Sequence, residues 1–190
     1  WKYTFTEPDY PGASSGAVAA SPIIFGDRLF VPYHKAHGLT FSICLEVKQG
    51  KPRVLWKTDK LGVWWLNPVL WDGCVYGVSQ YGVAELGLHC VELQTGTLKW
   101  SWHDYAPGVS DRTRRQARDY YRRATRPHRH EIYGPGTFIV ADGKMLLLTT
   151  NGWLSVVEVS ARGHKTLASA QVITGRPGGQ GPRTWTWPWT

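Results

Sequence analysis

One motif recurs in this chain at a fixed distance. Ser21-Pro22-Ile23-Ile24-Phe25-Gly26-Asp27-Arg28-Leu29-Phe30 is followed 46 residues later by Asn67-Pro68-Val69-Leu70-Trp71-Asp72-Gly73-Cys74-Val75-Tyr76. The same offset carries Cys44-Leu45-Glu46 onto Cys90-Val91-Glu92, and Gly50 onto Gly96. A third copy begins at Phe138-Ile139-Val140-Ala141-Asp142-Gly143-Lys144-Met145-Leu146-Leu147-Leu148 and continues through Trp153-Leu154-Ser155-Val156-Val157-Glu158. Asp72 to Asp142 spans 70 residues and Glu92 to Glu158 spans 66, so the third copy is displaced by an insertion.

A repeat of about 40–50 residues holding four strand-like runs predicts an all-β fold, a β-propeller built of four-stranded antiparallel blades. Blade one is expected over residues 21–58, with strands Ser21–Phe25, Arg28–Tyr33, Thr40–Glu46 and Arg53–Lys57. Blade two is expected over 67–102, with strands Asn67–Trp71, Cys74–Ser79, Gly87–Leu93 and Leu98–Trp102. Blade three is expected over 136–172, ending on Lys165–Val172. Gly26-Asp27, Asp72-Gly73 and Asn151-Gly152 supply hairpin turns.

Residues 1–6 resemble the closing strand of an earlier blade, because Trp1-Lys2 matches Trp56-Lys57. Residues 185–190 resemble the start of a later one, because Trp185-Thr186-Trp187-Pro188 echoes Trp64-Trp65-Leu66-Asn67-Pro68. About three blades and two partial blades are therefore expected. Blades pack on their neighbours, so a longer ring is implied.

Composition agrees with this class. Hydrophobic residues make up 42% and charged residues 19%, a globular balance, and 11 Trp suit pleated, flat-packed sheets. No apolar run approaches the ~20 residues of a membrane helix. The three cysteines, Cys44, Cys74 and Cys90, read as small buried apolar residues and not as a disulfide framework. The formal charge of +8 is uneven: residues 108–130 hold eight Arg against two Asp, a net +6, leaving +2 for the rest. The basic balance belongs to one insertion and not to the fold.

Cys90-Val91-Glu92-Leu93-Gln94-Thr95-Gly96-Thr97-Leu98-Lys99-Trp100 resembles the repeat signature of the pyrroloquinoline-quinone-type β-propeller family, roughly Ala-Leu-Asp-x-x-Thr-Gly-x-x-x-Trp. Blade one carries a looser copy in Cys44-Leu45-Glu46, Gly50 and Trp56. Blade three keeps Gly152-x-Leu154-x-Val156-Val157-Glu158 without the Thr-Gly or the closing Trp. The family's Asp is Glu in all three copies. The resemblance implies a quinoprotein-like propeller and an extracytoplasmic or periplasmic location. The family includes quinone-dependent alcohol and sugar dehydrogenases and non-enzymatic scaffolds, such as the lipoprotein of outer-membrane protein assembly. In physical terms the signature's acid can accept hydrogen bonds from turn amides, its Gly is free to take positive φ, and its Trp packs between blades. Repeat residues are thus expected to be scaffold.

Two features do not recur and are the functional candidates. The first is the set of residues leading into the innermost strands, Trp64, Trp65, Asn67, Tyr133, Trp185 and Trp187. These are expected at one mouth of the channel, where aromatics could stack on a planar cofactor, a sugar or a peptide side chain; the structural alternative is inter-blade packing. The second is the insertion, where Ser110 can cap a helix that Pro127 ends. Arg115, Asp119 and Arg122 share a face at helical spacing. Arg112, Arg115, Arg118, Arg122, Arg123 and Arg126 suit bidentate contact with carboxylate or phosphate, hence an acidic partner or an anionic surface. The alternative is a solvated basic helix, and the basic first turn opposes the helix dipole. Nucleic acid fits less well, since no recognised motif accompanies the charge.

His34-x-x-His37 and His128-x-His130 have spacings that metals use, but read as loop histidines. No catalytic triad or phosphate loop is evident. Quinone chemistry needs a carboxylate base, Ca²⁺ held by hard oxygens and an Arg at the quinone carbonyls. The remaining acids are scattered, and no adjacent Cys pair is present. The sequence therefore favours a non-catalytic binding propeller for a protein or saccharide-like ligand, with no cofactor and no metal. A dehydrogenase using pyrroloquinoline quinone and calcium is the alternative.

Overall fold

The computed structural model describes residues 20–35, 39–63, 66–79, 87–103, 135–149 and 152–173. The partial blades, the Arg-rich insertion with its expected helix, and the Gly/Pro-rich connector at 175–182 lie outside these. The described residues form twelve strands in three antiparallel sheets. Blade one is β1 (Ile23–Phe25), β2 (Arg28–Lys35), β3 (Leu39–Lys48) and β4 (Lys51–Thr58). Blade two is β5 (Val69–Trp71), β6 (Cys74–Ser79), β7 (Gly87–Glu92) and β8 (Leu98–Trp102). Blade three is β9 (Pro135–Ala141), β10 (Lys144–Thr149), β11 (Trp153–Ser160) and β12 (Gly163–Gln171). Each sheet is a simple meander, as expected of propeller blades. His34 belongs to β2, opposite Thr40, so it is a strand residue and not the loop histidine expected.

The turns follow their residues. Asp72 and Gly73 both take positive φ (47° and 70°), as do Asp142 and Gly143 (51° and 68°), which is the I′ geometry that matches strand twist. In blade one the order is reversed, and Gly26 takes the positive φ at the first turn position, 59°.

The copies agree in register as well as in sequence. Val47 N donates to Asp27 O at 2.7 Å, Leu93 N to Gly73 O at 2.9 Å, and Val159 N to Gly143 O at 2.9 Å, one bond repeated three times. A register shift also repeats between the third and fourth strands, at Cys44/Leu45, Cys90/Val91 and Val156/Val157. Such a bulge bends the strand and re-aims its side chains.

The core sits between blades. Phe30 of blade one packs with Val75, Val91 and Leu93 of blade two and with Leu61 and Val63 of the connector. Tyr76, Val78, Leu88 and Cys90 of blade two pack with Phe138, Met145, Leu147 and Val157 of blade three. The connector is held on both sides: Ser42 Oγ donates to Leu61 O at 2.7 Å, and Gly62 N donates to Ser79 Oγ at 3.0 Å. Gly77 makes room for it, since a Cβ there would stand 2.8 Å from Leu61 Cδ1.

Candidate functional site

The closing tryptophans bind one blade to the next. Trp56 Nε1 donates to Leu93 O at 2.9 Å, and Trp100 Nε1 donates to Ser160 O at 2.8 Å. Each lies against the equivalent β-strand aromatic of its own blade, Trp56 with Phe30 at 6.0 Å and Trp100 with Tyr76 at 5.8 Å between ring centroids. Burying the ring while satisfying its N–H makes the pair a seam.

Two of the three acids of the repeat are held in their turns. Glu46 takes Lys48 at 2.9 Å and Arg53 at 3.0 Å. These hydrogen bonds, that of Lys48 foremost, hold its carboxyl below the usual range. Glu92 accepts from Thr95 Oγ1 at 2.6 Å and from Lys99 Nζ at 3.0 Å, which lowers it likewise. These partners correct the expectation that turn amides satisfy the carboxylate. The amide of Gly96 goes instead to the backbone carbonyl of Glu92, at 2.9 Å. Glu158 is exposed, because blade three replaces Thr-Gly with the two-residue turn Ala161-Arg162.

Of the residues expected at the channel mouth, Asn67 is described, and it is exposed. Its Oδ1 accepts the amide of Ser21 at 2.8 Å. Ser21 is the copy of Asn67 in blade one, so the start of blade two is tied to the start of blade one. Trp64, Trp65, Tyr133, Trp185 and Trp187 lie outside the described residues. So do Arg112, Arg115, Arg118, Arg122, Arg123 and Arg126.

Three clusters were not evident from the sequence, because each is assembled by register or by blade stacking. His89, buried in β7, faces Ser101 across the β7–β8 ladder with Nδ1 2.7 Å from Ser101 Oγ. His164 stacks on Trp102 at 4.2 Å and 16°, and burial lowers its pKa. It borders a shallow depression of about 370 Å³ lined also by Asp142, Lys144, Glu158, Arg162 and Lys165. Third, Tyr76 Oη is buried with no oxygen or nitrogen partner, and its neighbours are the thiols of Cys74 and Cys90. Burial drives the Tyr76, Cys74 and Cys90 pKa values upward, so these groups stay protonated and are poor nucleophiles.

The described residues do not fit a quinone–calcium site. Glu46 and Glu92 are tied to their turn partners, and the neighbouring thiols are sealed between blades. Among the described residues no three His, Cys, Asp or Glu converge as a ligand set. No helix among them is long and apolar enough to cross a membrane.

No family model matches the chain, and no curated protein matches its sequence. Solved structures do match. One is BamB from Moraxella catarrhalis, with a TM-score of 0.51 at 12% identity, covering 80% of this chain and 34% of that one. Another is a europium-containing methanol dehydrogenase, with a TM-score of 0.51 at 13% identity, covering 84% of this chain and 26% of that one. At these identities the likeness shows the fold alone, a β-propeller. The chain spans about a third of the length of the first and a quarter of the second.

Proposed function

We propose that this chain is part of a non-catalytic β-propeller binding module. Its recognition elements are the residues that do not repeat: the aromatics Trp64, Trp65, Tyr133, Trp185 and Trp187 with Asn67, and the arginines of the insertion. The ligand class is a protein segment or a saccharide-like molecule at the channel mouth, with an acidic partner or anionic surface at the insertion. An extracytoplasmic location accords with the family resemblance.

The observation that carries this reading is the use made of the repeat residues. Two of the three recurring acids, Glu46 and Glu92, are consumed by turn partners, and the recurring Trp56 and Trp100 by seams, while Glu158 is exposed. A general base needs a carboxylate or imidazole free to meet a substrate, and these two carboxylates are engaged. The fold hosts both enzymes and scaffolds, so the site and not the fold must decide.

The test is retention of the protein on vesicles containing anionic lipid and on an immobilised acidic protein. Replacing Arg112, Arg115, Arg118, Arg122, Arg123 and Arg126 by Gln should reduce retention and flatten its salt dependence. Unchanged retention on both rejects the role of the insertion.

A further inference from the structure

Blade two departs from the other two blades at a pair of neighbouring positions. Opposite the repeat acid, blade one carries Arg28 and blade three carries Lys144. Blade two carries Cys74 there, opposite Glu92, and buries it to 2% exposure. Two residues on, Phe30 of blade one and Leu146 of blade three give way to Tyr76, which is fully buried and lies opposite Cys90. Side chains two apart on a strand share a face. Cys74, Tyr76 and Cys90 therefore form one group, on the face that meets blade three.

This group is chemically soft and incompletely satisfied. Its two thiols are free and interact with each other. The Tyr76 hydroxyl has no oxygen or nitrogen partner and neighbours both thiols. A buried hydroxyl in that state costs stability that a phenylalanine would not, and blade one shows that the position accepts phenylalanine. Met145 of β10, the one methionine in the sequence, is fully buried in the same cluster. A disulfide does not suit the pair. Cys74 and Cys90 are diagonal across β6 and β7, where Cα atoms stand ~7–8 Å apart, and a disulfide draws them within about 6.8 Å. A sulfur–metal–sulfur bridge spans two bonds instead of one.

We propose that Cys74 and Cys90 form a buried site for the soft monovalent ion Cu(I), with the Met145 thioether as third sulfur and Tyr76 as a positioning residue. Thiolate and thioether sulfur select Cu(I) over harder ions. Binding replaces two S–H bonds by two S–Cu bonds and releases two protons to solvent; copper stays Cu(I) and no electron moves. The thiolates so formed are stronger acceptors than thiols, and the Tyr76 O–H gains the partner it lacks. Burial raises the pKa of both thiols in the metal-free chain, while the Lys99 ammonium acts against that rise. Lys99, itself bridged to Glu92 at 3.0 Å, offsets part of the negative charge of the bound group. The ion enters by local opening of the seam or during folding.

The experiment titrates the reduced, oxygen-free chain with Cu(I) delivered from a chromophoric chelator. One ion per chain should leave the chelator, with a sulfur-to-copper band in the near ultraviolet. Cys74→Ala and Cys90→Val should each abolish this uptake; valine already stands at the Cys90 position in blade three, as Val156. Cys44→Ala should leave it unchanged, since Arg28 stands where the second thiol would be. Tyr76→Phe should weaken binding by about 10–100-fold without abolishing it, a loss that a packing role alone would not produce. Met145→Leu should weaken it too, and an unchanged affinity would remove Met145 from the site. Should the cysteine variants fail to fold, the unaltered chain still decides. Bound Cu(I) should raise its melting temperature and protect Cys74 and Cys90, but not Cys44, from alkylation in mild denaturant, read by mass spectrometry. No uptake by the unaltered chain overturns the proposal. So does uptake that survives Cys90→Val, or equal protection of all three cysteines, which marks adventitious binding at single thiols.

Discussion

Trp56 lies so close over Gly96 that a Cβ at position 96 would stand 2.6 Å from Trp56 Cε3, and the same glycine holds a φ of 74°. Turn conformation and blade seam thus make two demands on one residue, and glycine meets both. Gly96→Ala is expected to destabilise by about 2–4 kcal/mol, the sum of overpacking and left-handed strain. Trp56→Ala is expected to cost about 3–5 kcal/mol. With Trp56 removed, Gly96→Ala should retain only its backbone cost. A double-mutant cycle by urea unfolding measures that coupling, and strict additivity would deny the contact.

The tryptophan N–H is a second, smaller part of each seam. Trp100→Phe keeps most of the ring and removes the bond to Ser160 O. A loss of about 1 kcal/mol is expected, with more if the carbonyl stays dry. Circular dichroism and urea melts check it.

Acid should weaken the turns. Glu46 and Glu92 have carboxyls held below their ordinary value of 4.5, chiefly by hydrogen bonds from Lys48 and Thr95 respectively. A depressed folded pKa contributes stability that is present above 4.5 and lost as pH falls through the folded value. Both groups are partly exposed, so the effect is modest and screened by salt. Melts from pH 6 to pH 2 should show a slope that Glu46→Gln and Glu92→Gln reduce.

His164 gives an opposite charge but the same direction. Burial lowers its pKa from 6.5, so the folded chain holds the neutral ring against Trp102. As pH falls below 6.5 the unfolded chain takes up the proton first, and stability declines until the folded value is passed. A proton titration of His164 by NMR should fall below 6.5. A value at or above 6.5 would contradict the buried stack.

Much of the architecture was legible because it depends on local signals. β6 and β8 occupy the predicted spans Cys74–Ser79 and Leu98–Trp102, and the Asp-Gly pairs sit at hairpin turns. β1 and β5 are shorter than expected, beginning at Ile23 and Val69, just after Pro22 and Pro68, whose missing N–H weakens a ladder. The repeated bulge escaped the sequence reading, since the strand pattern does not reveal which residue is the extra one. The bonds from Ser42 to Leu61 and from Arg28 to Gln94 were invisible for another reason: they join residues 19 and 66 positions apart, brought together by stacking. The seam role of the repeated Trp56 and Trp100 was readable from their recurrence. What Asn67 does was not, because its bond to Ser21 exists only once blade two lies beside blade one.

The central claim is that the recurring residues hold a binding propeller together and do not perform redox chemistry. It is tested most directly by reconstituting the protein with pyrroloquinoline quinone and Ca²⁺ and assaying alcohols and sugars with an artificial electron acceptor. The account predicts no substrate-dependent reduction of the acceptor above that of free quinone. Sustained turnover that depends on both the protein and Ca²⁺ would contradict it.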